Sequence, residues 1–259
     1  MIVKRTLLTS TCLALAAPAA LTMATSAHAQ GFNIDEIVVT ARQREETLQD
    51  VPATVTVLTE TTLRRAGVER AEDFIALTPG VTFVDTAEVG DTQVNIRGIN
   101  GSRDAENSFA FVLDGVLLTN PASFNREFGE LQQIEVLKGP QGAIYGRNAA
   151  AGAIIVTTKK PGNEVEGQIK ASIANEGTYF VSGYASGPVV EDQLYAQISG
   201  DWRDTDGFYT NSFLNEDVVD NFENYNIKAR MVWEPNDDLS VDTKVRYGEV
   251  DAASISFNA

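Results

Sequence analysis

Two kinds of apolar pattern follow one another along this chain. Between residues 53 and 158 the apolar runs are short and are separated by Gly-, Asn- and Asp-rich stretches. Beyond residue 166 they lengthen and alternate with polar residues. In the first region Ala53 to Thr59 alternates and is β-branched, which predicts a strand. Thr59 stands where an N-cap belongs, ahead of a short helix from Glu60 to Ala66 that ends with Gly67 at the C′ position. A second short helix, Ala71 to Leu77, stops at Thr78-Pro79-Gly80. Strands are predicted over Val81 to Asp85, Thr92 to Gly98, Phe109 to Leu118, Ile134 to Leu137 and Ala153 to Thr158. This is a mixed α/β module spanning residues 48–161.

The second region is different material. Residues 31–160 hold 8 aromatics in 130 positions and residues 161–259 hold 13 in 99, so composition changes with the pattern. Leu194, Ala196, Ile198, Gly200 and Trp202 fall on one face of a strand, and Gln193, Tyr195, Gln197, Ser199, Asp201 and Arg203 on the other. Tyr225 to Trp233 and Leu239 to Tyr247 repeat the alternation, with Glu166 to Ala174 and Thr178 to Ser186 before them. A soluble antiparallel sandwich with one wet face has the same period. Three features point instead to a membrane barrel. The strands approach the roughly 9–11 residues that cross a bilayer at a tilt. Trp202, Trp233 and Tyr247 stand at strand ends on the apolar face, where interfacial girdles lie. Connections alternate in length, short at 175–177, 187–192 and 234–238 and long at 204–221, which would put the long one outside the cell. Five strands cannot close a barrel, so a longer protein is expected.

Ahead of both regions, Asp35-Glu36-Ile37-Val38-Val39-Thr40-Ala41 is a strong strand former followed only by a charged run, Arg42 to Glu46. No tight-turn signal gives it a neighbouring partner, so it is expected to join a distant sheet or another protein. Residues 1–29 read as a secretory leader: Lys4-Arg5, an apolar stretch from Leu7 to Ala20, and an A-x-A site at Ala27-His28-Ala29. A transmembrane anchor would need roughly 18 unbroken apolar residues, and Pro18 with the surrounding small residues argues against one. Residues 30–47 then lie between the leader and the first module.

Cleavage would remove the single His (His28) and the single Cys (Cys12). Ser-His-Asp and Cys-His nucleophiles, thiolate or imidazole metal sites and disulfides are thereby excluded from the remaining residues, and neither a cofactor nor a resident metal is expected. Carboxylates could still perform acid–base work, but no enzyme is predicted. The formal charge is −16, and loss of Lys4 and Arg5 makes it more negative, which disfavours nucleic acid as a partner.

Two loops of the first module carry polar groups suited to a ligand: Asn100, Ser102, Arg103 and Asp104 in one, Asn120, Phe124, Asn125 and Arg126 in the other. They read either as solvated connections or as an aromatic-tipped binding surface on a rigid scaffold.

The run from Gln133 to Asn148, with Lys138-Gly139-Pro140-Gln141-Gly142 at its centre, resembles the plug signature of TonB-dependent outer-membrane receptors, as does Ala151 to Lys159. Asn95-Ile96-Arg97-Gly98 and Leu113-Asp114-Gly115-Val116 match further plug motifs in the same order, and Gly187-Pro188-Val189 resembles the early barrel. Asp35 to Ala41 resembles the TonB box. Gln133 and Lys138 depart from the family, which often has Arg there. Gly139-Pro140 and Gly142 would break the strand for a tight turn, while Gly146 and Gly152 would take backbone conformations closed to other residues. The resemblance implies a mixed α/β plug followed by the first antiparallel strands of a barrel of about 22 strands. It implies an outer-membrane transporter that imports an extracellular small molecule, a ferric siderophore foremost and cobalamin or a carbohydrate as alternatives. TonB, energised by ExbB and ExbD, would engage Glu36, Ile37, Val38, Val39, Thr40 and Ala41 by strand addition. Arg97 and Lys138 would dock the plug on barrel carboxylates beyond Ala259, and any iron would arrive chelated, as cargo. Only Gln30 to Ile34 precede the box, which favours transport over transcriptional signalling. More remote readings are a soluble exported binding or adhesion module, whose strand faces led by Leu194 and Tyr225 would pack on a second sheet, and a barrel enzyme.

Overall fold

A computed structural model describes residues 38–39, 46–47, 53–84, 92–101, 105–124, 126–214 and 219–253. The leader and its cleavage site lie outside the described residues. The first module is built on a mixed sheet of five strands in the order β3-β8-β9-β6-β7: β3 Thr54–Thr59, β6 Phe109–Leu113, β7 Val116–Leu118, β8 Leu131–Lys138 and β9 Gly152–Thr158. Strands β8 and β9 are central, and β6 runs parallel to β9. The nearly continuous apolar runs of β6 and β9 follow from burial on both faces. Alternation along β9 sends Ile154 and Val156 into one core with Phe74, Phe109, Phe111 and Ile134, and Ala153 and Ile155 into a second with Val112 and Leu137. Helices α1 (Glu60–Ala66) and α2 (Ala71–Ala76) supply Leu63, Phe74 and Ile75 to the first core. A hairpin of β4 (Val81–Val84) with β5 (Gln93–Ile96) contributes Val81, Val94 and Ile96.

Several expectations are corrected. Phe109 to Leu118 is two strands, because Asp114 (φ 49°) and Gly115 (φ 83°) both adopt left-handed conformations and close a hairpin between Leu113 and Val116. Two such residues match the twist of an antiparallel pair. The Asp114 carboxylate then accepts from the Thr158 N–H at 2.7 Å and the Thr158 hydroxyl at 2.8 Å, tying the turn to β9. Thr59 occupies the N-cap of α1, but its side chain caps nothing and exchanges a hydrogen bond with Thr62 instead. The tight turn expected at Gly142 is a short helix, α3 (Gly142–Tyr145), ended by Gly146 at φ 74°. Gly152 is required by space, since a Cβ there would overlap the Leu137 carbonyl oxygen.

The second region is an antiparallel meander in chain order: β10 Glu166–Ile173, β11 Tyr179–Val190, β12 Leu194–Thr205, β13 Phe222–Asn236 and β14 Leu239–Ala252. Gly187-Pro188-Val189 lies within β11, and the turn falls at 191–193, where Asp192 takes φ 60°. Ile198, Ala229 and Val245 are in cross-strand register, and Ile169, Ile198, Ile227, Met231 and Val245 are all exposed or line the same outer face. The opposite face buries Tyr195, Asp201, Asn224, Asn226 and Arg230. A soluble sandwich would bury the first face on a second sheet, and no such sheet is present among the described residues. The wall is polar inside and apolar outside, the arrangement of a membrane barrel. Trp202 pairs with Tyr225 toward one rim and Trp233 lies toward the other, so aromatic side chains bracket the outer face at both ends.

Candidate functional site

Val38 and Val39 form a two-residue strand, β1, paired antiparallel with β2 (Glu46–Thr47): Val38 opposes Thr47 and Val39 opposes Glu46. The expectation that this stretch has no local partner is therefore wrong. Pairing does not need a two-residue turn, because loop-closure cost grows only slowly with length. The Val39 side chain is fully buried in the second core with Val112 and Leu137, and the Gln133 side-chain amide donates to the Val38 carbonyl at 3.0 Å and to Glu135 Oε1 at 2.9 Å. Glu36, Ile37, Thr40 and Ala41 lie outside the described residues. Gln133→Ala should loosen β1 without unfolding the module, raising exchange of the Val39 amide about three- to tenfold. An unchanged exchange rate would remove Gln133 as the latch.

Of the loop residues singled out from sequence, Asn100 and Asn120 are exposed. Asn120 caps the short 3₁₀ turn Pro121–Ser123, accepting from the Ala122 N–H at 3.0 Å. Ser102, Arg103, Asp104 and Asn125 lie outside the described residues. Phe124 is a correction. It is 1% exposed and meets Phe74, Phe109 and Phe111 edge-on at centroid distances of 5.9, 5.2 and 5.0 Å. The apolar ring is worth more in that aromatic core than at a wet loop tip. Arg126, two residues on, turns toward the wall and donates from Nε to the Ser123 carbonyl.

The seam between module and wall is held by ions that sequence reasoning missed. Glu127, only 3% exposed, accepts from Arg203 Nε at 2.8 Å, and Arg203 also reaches Glu69 at 3.2 Å and stacks 4.5 Å over Phe180. Lys228 donates to the Glu127 carbonyl and to Asp201, each at 3.0 Å. Its ammonium would come within 3.2 Å of a Cβ added at Gly129, whose left-handed backbone (φ 80°) is what favours glycine there. Arg230 donates to the Thr158 and Lys159 carbonyls while forking onto Asp242 at 3.0 and 2.7 Å. The wall strands were legible as having a polar face; its partners were not, since Arg203 lies 76 residues from Glu127 and 134 from Glu69.

Burial pushes the Glu127 carboxyl up to about 7, against the opposing pull of Arg203 and Arg70, and its Oε2 has no hydrogen-bond partner. An acid with a folded value above its unfolded one stabilises fully below the unfolded value, near 4.5, and loses that contribution as pH rises to about 7. Protection of the Phe128 amide, which donates to the Glu69 carbonyl at 3.1 Å, should therefore fall between pH 4.5 and 7 after correction for intrinsic exchange. Glu127→Gln should flatten this dependence, and a slope that persists in the variant would assign it elsewhere.

Arg97 has φ 51° and donates from Nη1 to the Lys138 carbonyl at 3.3 Å, while Lys138 Nζ donates to the Pro79 carbonyl at 2.5 Å. Burial and the Arg97 charge lower the Lys138 pKa. Among the described residues neither cation meets a carboxylate, so their docking on barrel acids stays an expectation.

Residues 47–153 match the TonB-dependent Receptor Plug Domain family. The vitamin B12 transporter BtuB of Vibrio vulnificus is 28% identical over 249 residues, 91% of this chain and 39% of its own length. The pesticin receptor of Yersinia pestis is 29% identical over 67% of this chain and 26% of its own. Among solved structures, the ferric yersiniabactin uptake receptor FyuA of Yersinia pestis superposes with a TM-score of 0.67 at 23% identity, over 71% of this chain and 29% of its own. The pyoverdine-bound FpvA of Pseudomonas aeruginosa gives 0.70 at 18% identity, over 82% and 27%. These superpositions carry the fold, and the chain spans about two fifths or less of the curated relatives' length.

Proposed function

Because this chain belongs to the TonB-dependent receptor family, we propose that it forms the box, plug and opening wall of an outer-membrane transporter. Such a transporter would bind an extracellular small molecule and import it with energy passed on by TonB, ExbB and ExbD. The observation that carries the reading is the inside-out wall: its apolar face is turned outward, its polar face is ion-paired to a plug, and a short β1 strand lies on that plug. Lipid would cover the outer face.

A ferric siderophore is the first cargo class, supported by relatives named as pesticin and ferrioxamine receptors. Cobalamin is the second, supported by the transporter similar over 91% of the chain. Asn100 and Asn120, with Ser102, Arg103, Asp104 and Asn125, are the proposed plug contacts, and Arg97 and Lys138 the docking cations. Cells carrying the full-length protein as their only such receptor would be offered radiolabelled ferric siderophore or cyanocobalamin, with and without a proton-motive force. Cargo accumulation that collapses with the gradient is the expected result. Recovery of the protein from the periplasm without detergent would sink the transporter reading.

A further inference from the structure

The chain is strongly acidic, with 36 Asp and Glu against 20 Lys and Arg, yet one cavity in the seam gathers cations. About 190 Å³ in volume, it lies between the 126–130 loop and the inner face of β12 to β14, and Arg126, Lys228, Arg230, Lys244 and Arg246 contribute to its lining. Three of these are neutralised: Lys228 by Asp201 at 3.0 Å, Arg230 by Asp242 at 2.7 Å, and Lys244 by Asp114 at 3.1 Å. The other two meet no carboxylate within ion-pairing distance among the described residues, although the charges of Asp201 and Glu127 reach Arg246 from farther off. Arg126 has the Ser123 carbonyl, and Arg246 donates from Nε and Nη2 to the Asn226 side-chain oxygen at 3.2 and 2.6 Å. Among the described residues neither forms an ion pair, although Glu127 and Glu130 line the same cavity.

Two guanidiniums held by neutral acceptors in one partly dry cavity are unfavourable unless an anion joins them. Their charges are mutually felt: burial and Arg246 together bring the Arg126 pKa down to about 10. One comes from the plug and the other from the wall, near the middle of β14, so the pair lies partway down the seam and below the loops that end the strands. A planar fork on each side suits an oxyanion, which two lysines would grip less specifically.

We propose that Arg126 and Arg246 form an anion station in the plug–wall seam, which takes a carboxylate or like oxyanion group of the cargo on its way inward. The inference rests on the transporter reading and adds that the cargo is acidic and passes along this side of the plug. The test uses the full-length receptor in detergent, titrated calorimetrically with citrate. Wild type should bind citrate, Arg126→Gln and Arg246→Gln should each weaken binding about tenfold or more, and Arg246→Lys should fall between. Unchanged thermal melting would show that the variants are folded. In cells the Arg246→Gln variant should keep surface affinity for cargo and lose most of the uptake rate. Wild type that ignores citrate, or variants that bind it normally, would overturn the station and mean that the counter-charge is supplied by the protein itself. Gradient-independent cargo accumulation by wild type would instead strike at the transporter reading, leaving the citrate result to stand alone.

Discussion

Val38→Pro is expected to abolish energised uptake while leaving equilibrium binding of cargo unchanged. Proline removes the backbone N–H and fixes φ, so a strand carrying it cannot complete a ladder with an added edge. Val38 opposes Thr47 in the resting pair, and Val39 beside it is buried, so the substitution should also loosen β1 from the plug. These two consequences separate experimentally. Val38→Ala keeps the N–H and should retain uptake, and Gln133→Ala frees the strand without damaging its ladder. Uptake measured beside cargo affinity decides the matter. Survival of uptake in the proline variant would mean that the box has been misplaced.

Arg203→Ala should destabilise the seam by about 3–5 kcal/mol, the usual consequence of removing one partner from a buried ion pair. Arg203 is the common partner of Glu127 and Glu69, and its loss leaves Glu127 with only Arg70, farther off at 3.8 Å, and takes from Glu69 its tie to the wall. It also removes the guanidinium stacked over Phe180. The effect should therefore exceed that of an exposed pair such as Arg64 with Glu60, which contributes a few tenths of a kcal/mol. Denaturant melts of the full-length receptor would report it, with exchange of the Phe128 amide locating the damage. Arg203→Met, which keeps much of the stem's packing, should recover little if charge dominates. Melting as in wild type would show that Lys228, Arg230 and Lys244 hold the seam without it.

How much of this was readable in advance differs between elements. Helix α1 was placed residue for residue because Gly67 takes φ 67° at its end, and only a residue without a Cβ does so freely. The wall strands were found because a period of two persists over eight or more residues. Phe124 was misread because an aromatic beside polar loop residues gives no sign, in sequence, of the Phe74, Phe109 and Phe111 rings that surround it. The hairpin at Asp114-Gly115 was visible as a motif but not as a turn, since the apolar run on both sides masked it.

By itself the sequence determined the succession of a short-run region and an alternating region and the two faces of the wall, because periodicity and glycine positions are local properties of the chain, while the family was legible only as a resemblance of motifs. Tertiary structure alone decided which face is covered, that β1 lies on the plug, and which ions meet across the seam. Those facts depend on contacts between residues as far apart as Arg203 and Glu69, or Gln133 and Val38, where one chain carries no local record of its partner.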